Sequence, residues 1–208
     1  MNKYIVELLG TFFLVLTIGL TVVGGGAGVI PPLAIGAGLM VMVFAGGHVS
    51  GAHYNPAVTL AVWMRGRCET KDVVPYIGSQ VIGAALAAGA VRYLRAGVAI
   101  SPMTPATGPA LVAELLFTFA LAWVVLNVAT AKGTAGNSFY GLAIGMTVMT
   151  GAFAVGDISG AVFNPSVAIG ISLLGLSSWS NIWIYLVANF VGGAAAALVF
   201  KAVHPADV

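Results

Sequence analysis

The sequence predicts an all-α membrane protein with six spanning helices and two re-entrant half-helices arranged as an inverted repeat. Three observations carry that prediction. Of the 208 residues, 60% are hydrophobic and 7% charged, and the mean hydropathy is +1.04. Soluble domains carry about 25% charged residues, so this surface faces lipid. Six apolar stretches, at about 4–23, 33–48, 74–96, 109–128, 139–155 and 181–201, come close to the roughly 20 residues a bilayer requires. Finally, GHVSGAHYNPAV at 47–58 is written again as GDISGAVFNPSV at 156–167.

The first stretch follows MNKY and reads as a spanning helix rather than a signal peptide, because five further apolar segments follow it. Between the second and third stretches lies 49–64, too polar at its start and too short to span. The segment 156–174, between the fifth and sixth, has the same character. Each begins with the repeated SGA…NP motif and continues as a brief apolar run, the pattern of a re-entrant loop followed by a half-helix. Backbone outside a helix is tolerated at membrane depth only where protein or a water-filled cavity covers it. The small-residue runs GAALAAGA at 83–90 and GGAAAAL at 192–198 suit close helix packing.

The repeat extends beyond the motif. ELLGTFFLVL at 7–16 matches ELLFTFALAW at 114–123, which puts Glu7 and Glu114 at equivalent places on the first and fourth helices. The halves run over about 1–96 and 109–208 within a single domain, 1–208. Three spans per half is an odd number, so the second half is inserted upside down. The two half-helices then approach from opposite faces and meet near the midplane. Broken helices at the interface of inverted repeats mark a solute pathway.

With the N-terminus inside, Lys3, Arg65, Arg67, Lys71, Lys132 and Lys201 fall on the cytoplasmic side, and only Arg92 and Arg95 fall outside. That bias follows the positive-inside rule and places both termini in the cytoplasm. The net charge of +2 gives no reason to expect nucleic acid. Cys68 is the only cysteine, which leaves no disulfide framework. No nucleotide loop, metal-ligand cluster or nucleophile–base set is legible, so the sequence predicts no enzyme, no cofactor and no metal. The short loops suit a microbial inner (plasma) membrane.

An Asn-Pro pair is a good helix start: Asn caps, and Pro at the first helical position lacks an N–H that would be unpaired anyway. One such pair says little. Two, each behind SGA and placed symmetrically in an inverted repeat, say much more. On ELLGTF, GHVSGAHYNPAV and FNPSV, the chain resembles the aquaporin (major intrinsic protein) family over essentially its whole length. The resemblance implies a right-handed bundle assembled as a homotetramer with one pore per subunit. It implies pore motifs at Asn55-Pro56-Ala57 and Asn164-Pro165-Ser166, with the Asn55 and Asn164 amides as donors to the pore. The positive ends of two half-helix dipoles at mid-membrane then form a barrier to cations.

The resemblance gives Glu7 and Glu114 a structural role, bonding the backbone of the re-entrant loops. Because ionisable groups inside spans are functional by default, proton-coupled transport is the alternative. His53 is expected on the cytoplasmic half of the pore wall and His48 near the cytoplasmic end of the second helix, as polar wall residues in preference to a pH gate.

The departures bear on the solute. Most family members follow the second motif with Arg, where this chain has Val167. Motif alignment puts the other constriction residues at Ile35, Ala152 and Ala161, a wider and more apolar filter than that of water-selective relatives. Relatives without the Arg point to ammonia, urea or uncharged metalloid hydroxides. Ala168, where the glycerol branch has Asp, argues against a dedicated glycerol facilitator. The Tyr185-Leu186 pair divides between the water and glycerol branches. Asp157 stands where Pro is common and is read as the cap of a loop turn, with attraction of cationic solutes as the alternative.

The expected function is a passive channel for water and small uncharged solutes: glycerol, urea, ammonia or metalloid hydroxides. The alternatives are a dedicated ammonia or arsenical facilitator with incidental water flow, a proton-coupled transporter, and a closed-pore structural protein. The expected partners are those solutes, membrane lipid and identical subunits.

Overall fold

The computed structural model describes residues 1–24 and 29–207; residues 25–28, inside the first repeat, and residue 208 lie outside the described residues. The helices are α1 (Asn2–Val22), α2 (Ile30–Ser50), α3 (Pro56–Met64), α4 (Thr70–Leu94), α5 (Thr107–Ala129), α6 (Tyr140–Ser159), α7 (Pro165–Leu174) and α8 (Ile182–Val203). Six of them have 20 to 25 residues, at least about 30 Å at 1.5 Å per residue. Their length and apolar composition are enough to cross a bilayer. With 9 and 10 residues, α3 and α7 are half that length.

Helix ends extend past the apolar stretches for local reasons. α2 begins at Ile30 because Pro31 and Pro32 fall in its first turn, where the missing N–H has no partner to lose. α4 begins at Thr70 because a polar first turn precedes its apolar run. Asp72 lies there, near the positive end of the helix dipole, and pairs with Lys3 and, at 2.7 Å, the Tyr4 hydroxyl. α2 and α6 both stop at a glycine in the left-handed region, Gly51 (φ 84°) and Gly160 (φ 89°), whose N–H groups return to the carbonyls of Gly47 and Gly156.

The inverted repeat is visible in the pairing: α1 packs on α4 as α5 packs on α8, and α2 meets its counterpart α6. The halves also exchange their half-helices, α3 packing against α8 and α7 against α4. Glycine permits that exchange. A Cβ on Gly193 of α8 would lie 2.6 Å from the carbonyl oxygen of Ala57 in α3, and one on Gly192 would lie 2.6 Å from that of Leu115 in α5. Backbone oxygens cannot swing aside, so hydrogen is the side chain these contacts admit.

Following the chain through its spans, the ends bearing Lys3, Arg65, Arg67, Lys71, Lys132 and Lys201 share one face, and Arg92 and Arg95 share the other. We refer to these as the basic and the opposite face. Exposed apolar side chains such as Ile5, Leu9 and Phe13 of α1, or Leu142, Met146 and Phe153 of α6, form apolar outer sides of the bundle.

Candidate functional site

Each re-entrant loop is a short strained segment held by one carboxylate. Ala52 (φ 51°) and Tyr54 (φ 50°) in the first loop, and Ala161 (φ 52°) and Phe163 (φ 50°) in the second, are left-handed residues without glycine's freedom. Such a conformation costs on the order of 1–3 kcal/mol per residue, so something must hold it. In the first loop that is Glu7, which is fully buried. Its Oε1 accepts from the Ser50 hydroxyl (2.7 Å) and the His53 N–H (2.9 Å), and its Oε2 accepts from the Tyr54 N–H and the Gln80 amide (both 2.7 Å). Glu114 repeats the arrangement: Oε1 accepts from Ser159 (2.7 Å) and the Val162 N–H (2.8 Å), and Oε2 from the Phe163 N–H (2.7 Å).

Two tyrosines complete the support, a pair that no motif announced. The Tyr76 hydroxyl donates to the Ser50 carbonyl (2.8 Å) and that of Tyr185 to the Ser159 carbonyl (3.0 Å). Tyr185, read in the sequence as half of a solute-discriminating pair, is thus a buried loop support. The loop aromatics Tyr54 and Phe163 are buried too, Tyr54 lying against Gly10 and Gly46, and Phe163 against Gly151 and the ring of Phe117.

The strained turns deliver Asn55 and Asn164 to the start of α3 and α7. The Asn55 Oδ1 caps its helix by accepting from Ala57 N–H (2.8 Å) and Val58 N–H (3.4 Å), and Asn164 Oδ1 does so from Ser166 (2.9 Å) and Val167 (3.4 Å). Pro56 and Pro165 take the first helical position. The amides then reach across the repeat axis. Asn55 Nδ2 donates to the Phe163 carbonyl and Asn164 Nδ2 to the Tyr54 carbonyl, each at 2.8 Å. A carboxamide has two N–H donors, so one on each Asn is left for the cavity that both residues line.

That cavity, about 350 Å³, runs from the two asparagines towards the opposite face. All four residues aligned to the constriction, Ile35, Ala152, Ala161 and Val167, lie on its wall. Apart from the asparagines, His53 and Asp157, the side chains around it are almost wholly apolar. A second cavity of about 720 Å³ opens on the basic face, where His48, Arg67 and Lys132 contribute to its wall. His53 lines both cavities. Its Nδ1 is 3.1 Å from the Thr59 hydroxyl, and its ring packs on Tyr76.

Asp157 is not the cap of a loop turn. It stays helical in the last turn of α6, which is ended three residues later by the left-handed Gly160. It is exposed, and among the described residues its carboxylate accepts no hydrogen bond. A negative charge there opposes the negative end of the helix dipole and faces the mouth of the cavity.

The rim of the basic face is tied by Asp207. Its carboxylate accepts from the Lys132 backbone N–H (2.7 Å) and the buried Arg65 guanidinium (2.8 Å). The first of these contacts, aided by the cations, holds the carboxyl below its usual range. Cys68 lines neither cavity. Burial pushes its thiol up, towards the neutral, less reactive form. Mercurial treatment of proteoliposomes is therefore expected to leave water flow unchanged, and inhibition reversed by added thiol would contradict that.

Six spans, two half-helices meeting behind paired asparagines and a cavity leading away from them define a membrane channel of the inverted-repeat class. The profile of the family described as "Major intrinsic protein" matches residues 1–200. A probable aquaporin NIP4-2 of Arabidopsis thaliana is 36% identical over 211 residues, 96% of this chain and 74% of the relative. Aquaporin NIP1-1 of Zea mays is 36% identical over 213 residues, 98% of this chain and 75% of its own. The crystal structure of the aquaglyceroporin from Plasmodium falciparum shares the fold, with a TM-score of 0.84 at 22% identity over 99% of this chain and 97% of that one. The chain belongs to the major intrinsic protein family: it is an integral, multi-pass membrane channel for water and small solutes, and not an enzyme.

Proposed function

We propose that the pore conducts water together with small uncharged solutes (urea, ammonia, glycerol or metalloid hydroxides) through a wide, apolar outer filter made by Ile35, Ala152, Ala161 and Val167. The observation that carries this reading is their presence on one cavity wall with Asn55 and Asn164. An isoleucine, two alanines and a valine leave room where an aromatic, a histidine and a guanidinium would narrow it, and a wall poor in polar groups cannot hold a solute in one orientation. Water and neutral solutes then pass Asn55 and Asn164 by accepting their free N–H groups.

Cation and proton exclusion rests on the half-helix dipoles of α3 and α7, whose positive ends meet at the asparagines. Among the described residues that line the filter there is no fixed cation, and Asp157 works against exclusion at the mouth. Proton coupling through Glu7 or Glu114 is the weaker reading, because both carboxylates are fully buried, off the cavity and occupied by loop donors. We place the basic face in the cytoplasm of a plasma (inner) membrane by the positive-inside rule, and four subunits around an axis, each with its own pore.

The test is stopped-flow light scattering on proteoliposomes under sucrose, urea and glycerol gradients, with an internal pH dye. Fast water flow with accelerated urea uptake and no proton leak is the expected result. Water flow equal to that of empty liposomes would overturn the permissive-channel reading.

A further inference from the structure

We propose that Met103 is a specificity-determining residue of the outer pore, supplied by the connection between the two halves. This rests on the reading of the outer cavity as the filter. The connection between α4 and α5 runs over the opposite face, and its stretch around Met103 is pinned by backbone. The Met103 N–H donates to the Leu176 carbonyl (2.9 Å), and the residue bridges in parallel with Ser177, just past the end of α7.

From that anchor the side chain turns into the vestibule and lines the same cavity as Ile35, Ala161 and Val167. The Tyr185 hydroxyl lies 3.5 Å from its sulfur. A Cβ built on Gly160 would sit 2.7 Å from both Sδ and Cε of Met103. The thioether therefore rests directly on the glycine that begins the second re-entrant loop, one residue before Ala161. Met103 is half-buried, so part of its surface is left to the passage.

Consequence follows from what surrounds it. The outer wall has small residues at Ala152 and Ala161, and Met103 is the one long unbranched apolar side chain among the described residues lining the cavity. An unbranched thioether fills irregular gaps and changes rotamer easily, and pore diameter is a primary determinant of what passes. The backbone bridge holds the residue's position, while the thioether sets how much of the width left by small filter residues is open.

Urea and water permeabilities of Met103→Ala, Met103→Phe and Met103→Leu in proteoliposomes test this, with Val167→Arg measured alongside. Met103→Ala should raise the urea-to-water ratio by about threefold or more and Met103→Phe should lower it comparably, as a width limit requires. Met103→Leu, close in volume, should stay near the parent value. The bridge uses only backbone atoms, so these variants keep the anchor, and gel filtration in detergent verifies folding. If Val167→Arg changes the ratio while the Ala and Phe variants do not, the role assigned to Met103 is overturned and the filter reading stands. If none of the variants changes it, the filter reading falls and the inference with it.

Discussion

Val167→Arg is expected to lower urea and glycerol permeability by at least about tenfold while reducing water flow much less, as a constriction set by pore diameter and lining donors demands. Val167 is 3% exposed and faces the cavity from the third residue of α7. A guanidinium there would bring five donors and a fixed charge into a space walled by alanines. It would also find acceptors, because the Asp157 carboxylate borders the same cavity. Adding Ile35→Phe should deepen the effect, since that side chain closes the wall contributed by α2. The measurement is the solute-to-water permeability ratio of each variant against the parent, and an unchanged ratio would remove both residues from the filter. The pH dye should report lower proton leak in the arginine variant if the parent leaks at all.

Glu7→Gln is the change with the largest expected effect on stability. The carboxylate is acceptor-only and meets four donors, two on each oxygen. Gln keeps the shape but turns one acceptor into an NH₂ group; the Ser50 hydroxyl or the Gln80 amide can turn round to accept from it, whereas the backbone N–H of His53 or Tyr54 on the same side cannot. Orphaning a buried donor costs about 1–3 kcal/mol, so the substitution should remove about 1–3 kcal/mol, a sizeable part of the margin by which a typical protein stays folded. The strained loop of Ala52 and Tyr54 loses part of its tether at the same time. A fall in thermal midpoint and in folded yield, read by fluorescence-detected gel filtration, is expected, and Glu114→Gln should behave alike. Full stability with loss of a pH-gradient-driven flux would instead restore the proton-coupled alternative.

Much of the site was legible because its motifs act locally. An Asn followed by Pro caps a helix wherever it stands, and SGA places a hydroxyl and a left-handed glycine just before it, so α3 and α7 could be read from twelve letters each. Glu7 and Glu114 were legible as twins because a carboxylate amid apolar helix needs a buried reason. Other features depend on distant backbone. Met103 lies in a stretch without periodicity, and its place comes from a bridge to Leu176, more than seventy residues on. Tyr76 and Tyr185 look like ordinary core aromatics until the carbonyls of Ser50 and Ser159 arrive beside them. Asp157 was misread because the sequence shows where a glycine stands but not that α6 stays helical up to it. The polar first turn of α4 was trimmed for a related reason: apolar runs mark where a span is buried in lipid, and helices continue past that into the headgroups.

The crossed amides of Asn55 and Asn164 also have a meaning in time. Translation produces the first half first, and the acceptor for Asn55 is the carbonyl of Phe163, 108 residues downstream. The acceptor for Asn164 lies 110 residues behind it. While the ribosome is still making the second half, the Asn55 amide lacks the acceptor it has in the finished fold, and Gly193, which receives Ala57, has yet to be made. Neither half can become a finished conduit on its own. The centre therefore takes its final shape only after the last span has been made, which puts its assembly late in biosynthesis.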